Sequence, residues 1–189
     1  MAVRVAITGF GRIGRLALRA VLEEQRWGEV EVVAINDSST PETNAHLLTY
    51  DSVHGRYPGK ITVGDDWIDG GFGKIQKVSN RDPSQLPWGD LGVDIVLECT
   101  GKFNSKEASM AHIESGAKRV LCSAPAKNAD KTIVYGVNHD ALTADDIIVS
   151  NASCTTNGLA PVAKVLNDSV GIERGHMTTI HAYTGDQPT

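Results

Sequence analysis

Aromatic residues make up only 5% of this 189-residue chain, and it has three cysteines. An odd number of thiols at wide spacing, Cys99, Cys122 and Cys154, provides neither a disulfide framework nor a zinc ribbon. A reducing cytoplasm is the simplest compartment for it. No apolar run approaches the roughly 20 residues needed to span a bilayer. The opening stretch, Met1 to Thr8, is too short and too soon interrupted by glycine to read as a secretory signal. Basic clusters are also missing, and the net charge is −5, which argues against nucleic acid or an anionic membrane as the main partner. Internal repeats and low-complexity segments are absent. What is present, 41% hydrophobic and 22% charged residues, is ordinary for a soluble globular protein. The length allows one large domain, or one complete domain with part of another.

Strand-like and helix-like segments alternate. Val3 to Thr8 is a β-branched, mostly apolar run, read as a buried strand. After a glycine-rich turn, Ile13, Leu16, Ala17, Ala20, Val21 and Leu22 recur at helical spacing. Val30 to Asn36 reads as a second strand ending at Asp37. Pro41 to Tyr50 reads as a helix with proline in its first turn. Glycine and β-branched residues between Gly59 and Val78 predict short antiparallel strands. Further strands are expected at Asp94 to Glu98, Lys118 to Ser123, Ile133 to Val137 and Ile147 to Asn151. Ser105 to Ser115 and Gly158 to Asn167 read as helices. This order predicts an α/β, Rossmann-type doubly wound parallel sheet. The period-two run His176 to Tyr183 reads as the first strand of a second sheet, the start of an α+β domain.

The turn after the first strand is Gly9-Phe10-Gly11-Arg12-Ile13-Gly14. Its position between a strand and a helix, with a second strand ending in Asp37, is that of a dinucleotide site. Gly9 permits the tight turn, Gly11 lets a pyrophosphate approach backbone N–H groups, and Gly14 lets helix and strand pack closely. Asp37 can accept hydrogen bonds from ribose hydroxyls and would repel a 2′-phosphate, which favours NAD over NADP.

The segment Asn151-Ala152-Ser153-Cys154-Thr155-Thr156-Asn157 sets a thiol at a strand-to-helix junction. Free N–H groups and the positive end of a helix dipole stabilise a thiolate there. His181, on the expected returning strand, is the candidate base. Hydroxyl and amide side chains surround both residues, more than core packing needs. Cys99 and Cys122, at apolar strand ends, read as inert core thiols. His46, His54, His112, His139 and His176 read as structural or exposed.

With these motifs the whole chain resembles the N-terminal part of phosphorylating glyceraldehyde-3-phosphate dehydrogenase. The likeness runs through the glycine turn to Arg15, Ile35-Asn36-Asp37, Leu48 to Gly55, Glu98-Cys99-Thr100-Gly101, Ser150 to Asn157 and Thr179-Ile180-His181. The resemblance implies residues 1–150 as an NAD-binding domain and 151–189 as the beginning of a catalytic domain. It implies that Cys154 attacks the aldehyde of glyceraldehyde 3-phosphate, and that His181 raises its thiolate fraction and serves as acid and base. Inorganic phosphate then releases 1,3-bisphosphoglycerate from a thioester. It further implies Ser153, Thr155 and Thr184 as contacts to phosphate and substrate. Arg12 and Ile13 match the pyrophosphate loop, and Arg81 and Ser123 positions near the adenine and nicotinamide halves. A cytoplasmic homotetramer is implied in the same way.

Two positions depart from the family pattern. Gly158 stands where most members have cysteine, and Thr8 where asparagine is more usual. The chain is also much shorter than family members, so most of the catalytic domain, including an arginine for substrate phosphate, falls outside it. The chain alone is therefore expected to lack dehydrogenase turnover. Two alternatives stay open: erythrose-4-phosphate dehydrogenase, whose usual glutamate is replaced here by Asp37, and a non-catalytic NAD-binding fragment.

Overall fold

The structure, a computed structural model, describes residues 2–182. In chain order its elements are β1 (Val3–Thr8), α1 (Arg12–Glu23), β2 (Val30–Asn36), α2 (Pro41–Thr49), β3 (Tyr50–Asp51) and β4 (Gly55–Arg56). β5 (Thr62–Val63), β6 (Trp67–Asp69), β7 (Lys74–Val78), β8 (Ile95–Glu98), α3 (Lys106–Glu114) and β9 (Arg119–Cys122) follow. The last are β10 (Lys131–Thr132), β11 (Ile148–Ser150) and α4 (Cys154–Val170). Among the described residues nine strands form one sheet, in the order β10-β11-β9-β8-β1-β2-β7-β6-β5. The pairings from β10 to β7 are parallel; β6 and β5 add an antiparallel edge.

Side chains along β1 alternate between the two faces, as a strand's period of two requires. Val5 and Ile7 pack with Leu18 and Leu22 of α1 and Leu48 of α2. Ala6 joins Val96, Val120, Ile148 and Trp88 on the opposite face. Each face of the sheet thus has its own apolar cluster, which is why the central strands read as continuous hydrophobic runs rather than alternating ones. The order of connection reverses at β1: the chain runs outward through β2 on one side, then returns to β8 on the other. That reversal opens a crevice at the carboxyl ends of β1 and β8, where Thr8 is paired with Glu98.

Three segments differ from the sequence expectation. Residues 133–137 form no strand. Ile133 N–H donates to the Ser150 carbonyl, and the chain then turns, with Asn138 accepting from Val134 N–H and donating to the Thr132 carbonyl. The helix expected over Gly158 to Asn167 begins four residues earlier, at Cys154, and runs to Val170. Ser153 starts it by accepting a hydrogen bond from Thr156 N–H, so local capping extends the helix beyond its apolar run. Residues 176–182 of the expected second-sheet strand are not in a strand. A strand needs a hydrogen-bonding neighbour, and none of the described strands pairs with this segment; Tyr183 lies outside the described residues.

Candidate active site

The crevice at the switch point is a groove of about 430 Å³, within the usual range for a small-molecule site. Thr8, Gly9 and Gly11 of the β1–α1 turn line it, with Asp37, Asn80 and Arg81 from the ends of β2 and β7 and Cys99, Thr100 and Phe103 beyond β8. Gly9 has φ +84°, and a Cβ there would lie 2.7 Å from Thr100 N. At Gly14 a Cβ would lie 2.2 Å from the Gly9 carbonyl oxygen and 2.9 Å from Ile7 Cγ2. The closest contact at each glycine is with backbone, which cannot swing aside, so side chains are excluded at two points of the turn. Gly11 faces open space, with nothing within 4 Å of its ideal Cβ. This is a tight turn whose middle glycine leaves the first turn of α1 uncovered. Thr8 Oγ1 is buried with no hydrogen-bond partner in the protein and lies on the groove wall. A buried polar atom at a groove wall is a place for a ligand group, and with the bare glycine cradle it fits a dinucleotide.

Asp37 closes one side. Its carboxylate accepts from Phe10 N–H (3.1 Å) and Ser39 N–H (2.8 Å), so the acid also holds the glycine turn in place. Burial pulls its pKa upward, but the hydrogen bonds from Ser39 and Phe10, helped by the nearby Lys77 charge, outweigh it and leave the pKa lowered. Lys77 Nζ donates to the carbonyls of Asp37 and Val78 and fixes the loop from below. Asn36 and Asn80 exchange two hydrogen bonds across the ends of β2 and β7 (3.0 and 2.9 Å).

Cys154 is the first residue of α4 and is exposed. Its Sγ lies 3.4 Å from His181 Nε2. His181 Nδ1 bonds to the Ala182 carbonyl, which can only accept. The proton therefore resides on Nδ1, and Nε2 presents its lone pair to the thiol. The Cys154 pKa is lowered: the His181 contact is the largest cause, desolvation opposes it, and the Thr155 N–H and hydroxyl add to it. The thiol is held from behind. Ser153 caps the helix, and Asn157 Nδ2 donates to the carbonyls of Asn151 (2.7 Å) and Ser153 (3.0 Å). Ala152, just before the cap, takes φ +57°, a left-handed conformation unfavourable for a residue with a Cβ. The chain has to bend this sharply to swing from β11 into α4 with the thiol outward.

Of the residues expected on the cofactor side, Gly9, Gly11, Asp37 and Arg81 line the groove, and Gly14 supports it from beneath. Arg12 and Ile13 occupy the first turn of α1, where their backbone N–H groups are free of helix partners. The Arg12 guanidinium is turned away, paired through both terminal nitrogens with Asp51 (2.8 and 3.1 Å). Ser123 follows β9, its N–H bonded to the Glu98 carbonyl, and its side chain acts on the Cys99 thiol in the direction of a lower pKa, against burial. Ser153 serves as a helix cap and Thr155 lies against the thiol; Thr184 lies outside the described residues. Burial raises the Cys99 thiol to about 11 and raises that of Cys122 as well, consistent with inert thiols, although Cys99 also borders the groove. Asn80, Lys102 and Phe103 belong to no motif, and Thr100 belongs to one without an assigned role, yet all four form the groove. The signal that finds them is position, since each follows the carboxyl end of a parallel strand.

These two sites correspond to two recognised domains. Residues 3–106, which include every residue lining the groove, match the family model of the glyceraldehyde 3-phosphate dehydrogenase NAD binding domain. Residues 153–189, which include Cys154 and His181, match the model of the same enzyme's C-terminal domain. Glyceraldehyde-3-phosphate dehydrogenase of Cereibacter sphaeroides is 65% identical over 189 residues, covering 100% of this chain and 56% of that protein. The enzyme of the same name from Xanthobacter flavus is 64% identical over the same span and coverage. Glyceraldehyde-3-phosphate dehydrogenase 2 of Bacillus subtilis is 54% identical, covering 99% of this chain and 54% of that protein. The chain thus spans about half the length of these curated relatives. With its NAD groove in one matched domain and its activated thiol in the other, the chain belongs to the glyceraldehyde 3-phosphate dehydrogenase family.

Proposed function

We propose that the protein is an NAD-dependent dehydrogenase of glycolysis and gluconeogenesis that oxidises and phosphorylates glyceraldehyde 3-phosphate to 1,3-bisphosphoglycerate. The observation that carries this reading is the Cys154 Sγ to His181 Nε2 contact of 3.4 Å at the head of α4. Cys154, as thiolate, attacks the aldehyde carbon and forms a hemithioacetal. His181 Nε2 takes the thiol proton, gives it to the oxygen of the forming hemithioacetal, and takes it back from that hydroxyl as the carbon is oxidised. The Cys154 N–H, at the helix N-terminus, faces the developing oxyanion together with His181. NAD, when bound, supplies the hydride acceptor. Phosphate attack on the thioester returns Cys154 as thiolate, with Ser153, Thr155 and Thr184 as the contacts to phosphate and substrate.

Gly9, Gly11, Arg12, Ile13, Gly14, Asp37, Arg81 and Ser123 are the cofactor residues on this reading. Residues 1–150 are its NAD domain, and 151–189 begin the catalytic domain. The names carried by the relatives at 53–65% identity favour this substrate over erythrose 4-phosphate. The same reading makes the protein a cytoplasmic homotetramer that uses neither nucleic acid nor membrane. No helix among the described residues is long and apolar enough to cross a membrane.

The test is a calorimetric titration with NAD and NADP, followed by NAD and glyceraldehyde 3-phosphate without phosphate. Tighter binding of NAD than of NADP is expected of this chain, and, with the rest of the catalytic domain joined to it, one equivalent of NADH and an acyl adduct on Cys154 by mass. NADH formation undiminished by Cys154→Ser would refute the assignment.

A further inference from the structure

Behind the groove lies a polar chain that the mechanism does not use. Trp88 Nε1–H donates to His112 Nδ1 at 3.1 Å, and His112 Nε2 lies 3.1 Å from Glu98 Oε2. The other carboxylate oxygen, Oε1, accepts from Thr100 N–H at 2.7 Å and from the Thr100 hydroxyl. Both the Glu98 and the His112 side chains have 0% exposure. An indole nitrogen can only donate, so His112 Nδ1 is an acceptor and the ring proton sits on Nε2, donating to Glu98. Every hydrogen bond in the chain therefore has a fixed direction. It ends on Thr100, which lines the groove and lies against Gly9. The His112 ring also meets the edge of Phe103, another groove residue, at 6.0 Å.

We propose that Glu98 is a positioning residue for the dinucleotide groove, its carboxylate holding the Thr100 wall while Trp88, through the tautomer of His112, dictates that both of its oxygens accept. The proposal rests on the reading of the groove as the NAD site. Glutamine has the shape of glutamate but one acceptor and one donor. If its oxygen faced Thr100, its amide N–H would meet the His112 Nε2–H. Switching the His112 proton to Nδ1 would only move the conflict to the Trp88 N–H. With the amide reversed, two donors would meet at Thr100 instead. Removing the indole N–H frees His112 to switch, so Trp88→Phe should repair Glu98→Gln.

The experiment measures NAD affinity of the chain by calorimetry for Glu98→Gln, Trp88→Phe and the double variant. Glu98→Gln is expected to weaken NAD binding about tenfold, as one unsatisfied buried donor would. Trp88→Phe should change it little, and the double variant should recover most of the loss. Losses that add in the double variant, or wild-type affinity in Glu98→Gln, would overturn the proposal, because a merely structural role gives additive damage. Nitrogen NMR of His112 in the unaltered chain gives a second reading independent of any variant's folding. A proton on Nε2 supports the proposal, and a proton on Nδ1 overturns it. An unaltered chain that binds no NAD would refute the reading of the groove instead, leaving the His112 tautomer as the measure of the hydrogen-bonded chain itself.

Discussion

Three thiols of one chain occupy three different electrostatic settings. Cys154 is exposed beside His181 with its pKa lowered, while burial drives Cys99 up to about 11 and raises Cys122. Thiolate, not thiol, is the nucleophile, so alkylation rates report these settings directly. Iodoacetamide at neutral pH is expected to modify Cys154 first, with Cys99 and Cys122 protected; peptide mass mapping checks the order. Replacing His181 with asparagine removes the largest cause of the shift, so the pKa of Cys154 should rise. A rise of one pKa unit would slow its labelling near pH 7 by about tenfold. An unchanged pH–rate profile would mean that the helix terminus alone activates the thiol. The sequence made Cys154 and His181 legible because polar side chains crowd them. The paired guanidinium of Arg12 was not legible, since Asp51 lies a whole strand–helix unit away and only the fold brings the two together.

At the scale of elements, α4 departs furthest from a conventional core helix. None of its residues is buried among the described ones, and Leu159, Val162, Val165 and Leu166 are exposed. It also contains Pro161 and Gly158, both poor helix formers. Gly158 does not take a positive φ, and nothing lies within 4 Å of an added Cβ. Gly158→Ala is therefore expected to stabilise the chain by roughly 0.5–1 kcal/mol, seen as a raised unfolding midpoint without change in Cys154 labelling. The strands β1, β2, β8 and β9 were readable because burial on both faces leaves apolar runs, α1 because its apolar residues recur at helical spacing, and α2 and α3 because Thr40 and Ser105 cap them. The segment 133–137 misled because its apolar residues suit a strand, whereas Asn138 takes the Val134 N–H for a turn. A side-chain acceptor competing for one backbone donor is invisible to hydrophobic periodicity.

For the molecule as a whole, acid is the most revealing condition. Asp94 and Asp130 have lowered pKa values. The leading cause for Asp94 is the Lys118 hydrogen bond, and for Asp130 it is the Ile148 N–H. Asp37 is lowered too, through its backbone hydrogen bonds acting against burial. A carboxyl group with a lower pKa folded than unfolded stabilises the fold above the ordinary value of 3.8. That contribution is lost as pH falls through the folded value. Thermal midpoints should therefore hold steady near neutrality and drop below about pH 4. Asp130 ties Lys106 of α3 to the N–H groups of Ile147 and Ile148. Asp130→Asn should lower the midpoint at neutral pH and flatten the acid limb; a parallel, unflattened curve would remove Asp130 from the account.

The parallel sheet also acts as a ruler. β1, β8, β9 and β11 are successive neighbours that all point their carboxyl ends the same way. The glycine turn leaves the first of these strands and the thiol helix leaves the last. Three inter-strand steps separate them, about 14 Å at the usual spacing of strands. A ligand of that length laid across the edge reaches both ends, and one half as long reaches only one. Reach along the edge is thus a means of selection built into the spacing of backbone hydrogen bonds, and no side-chain substitution can easily alter it.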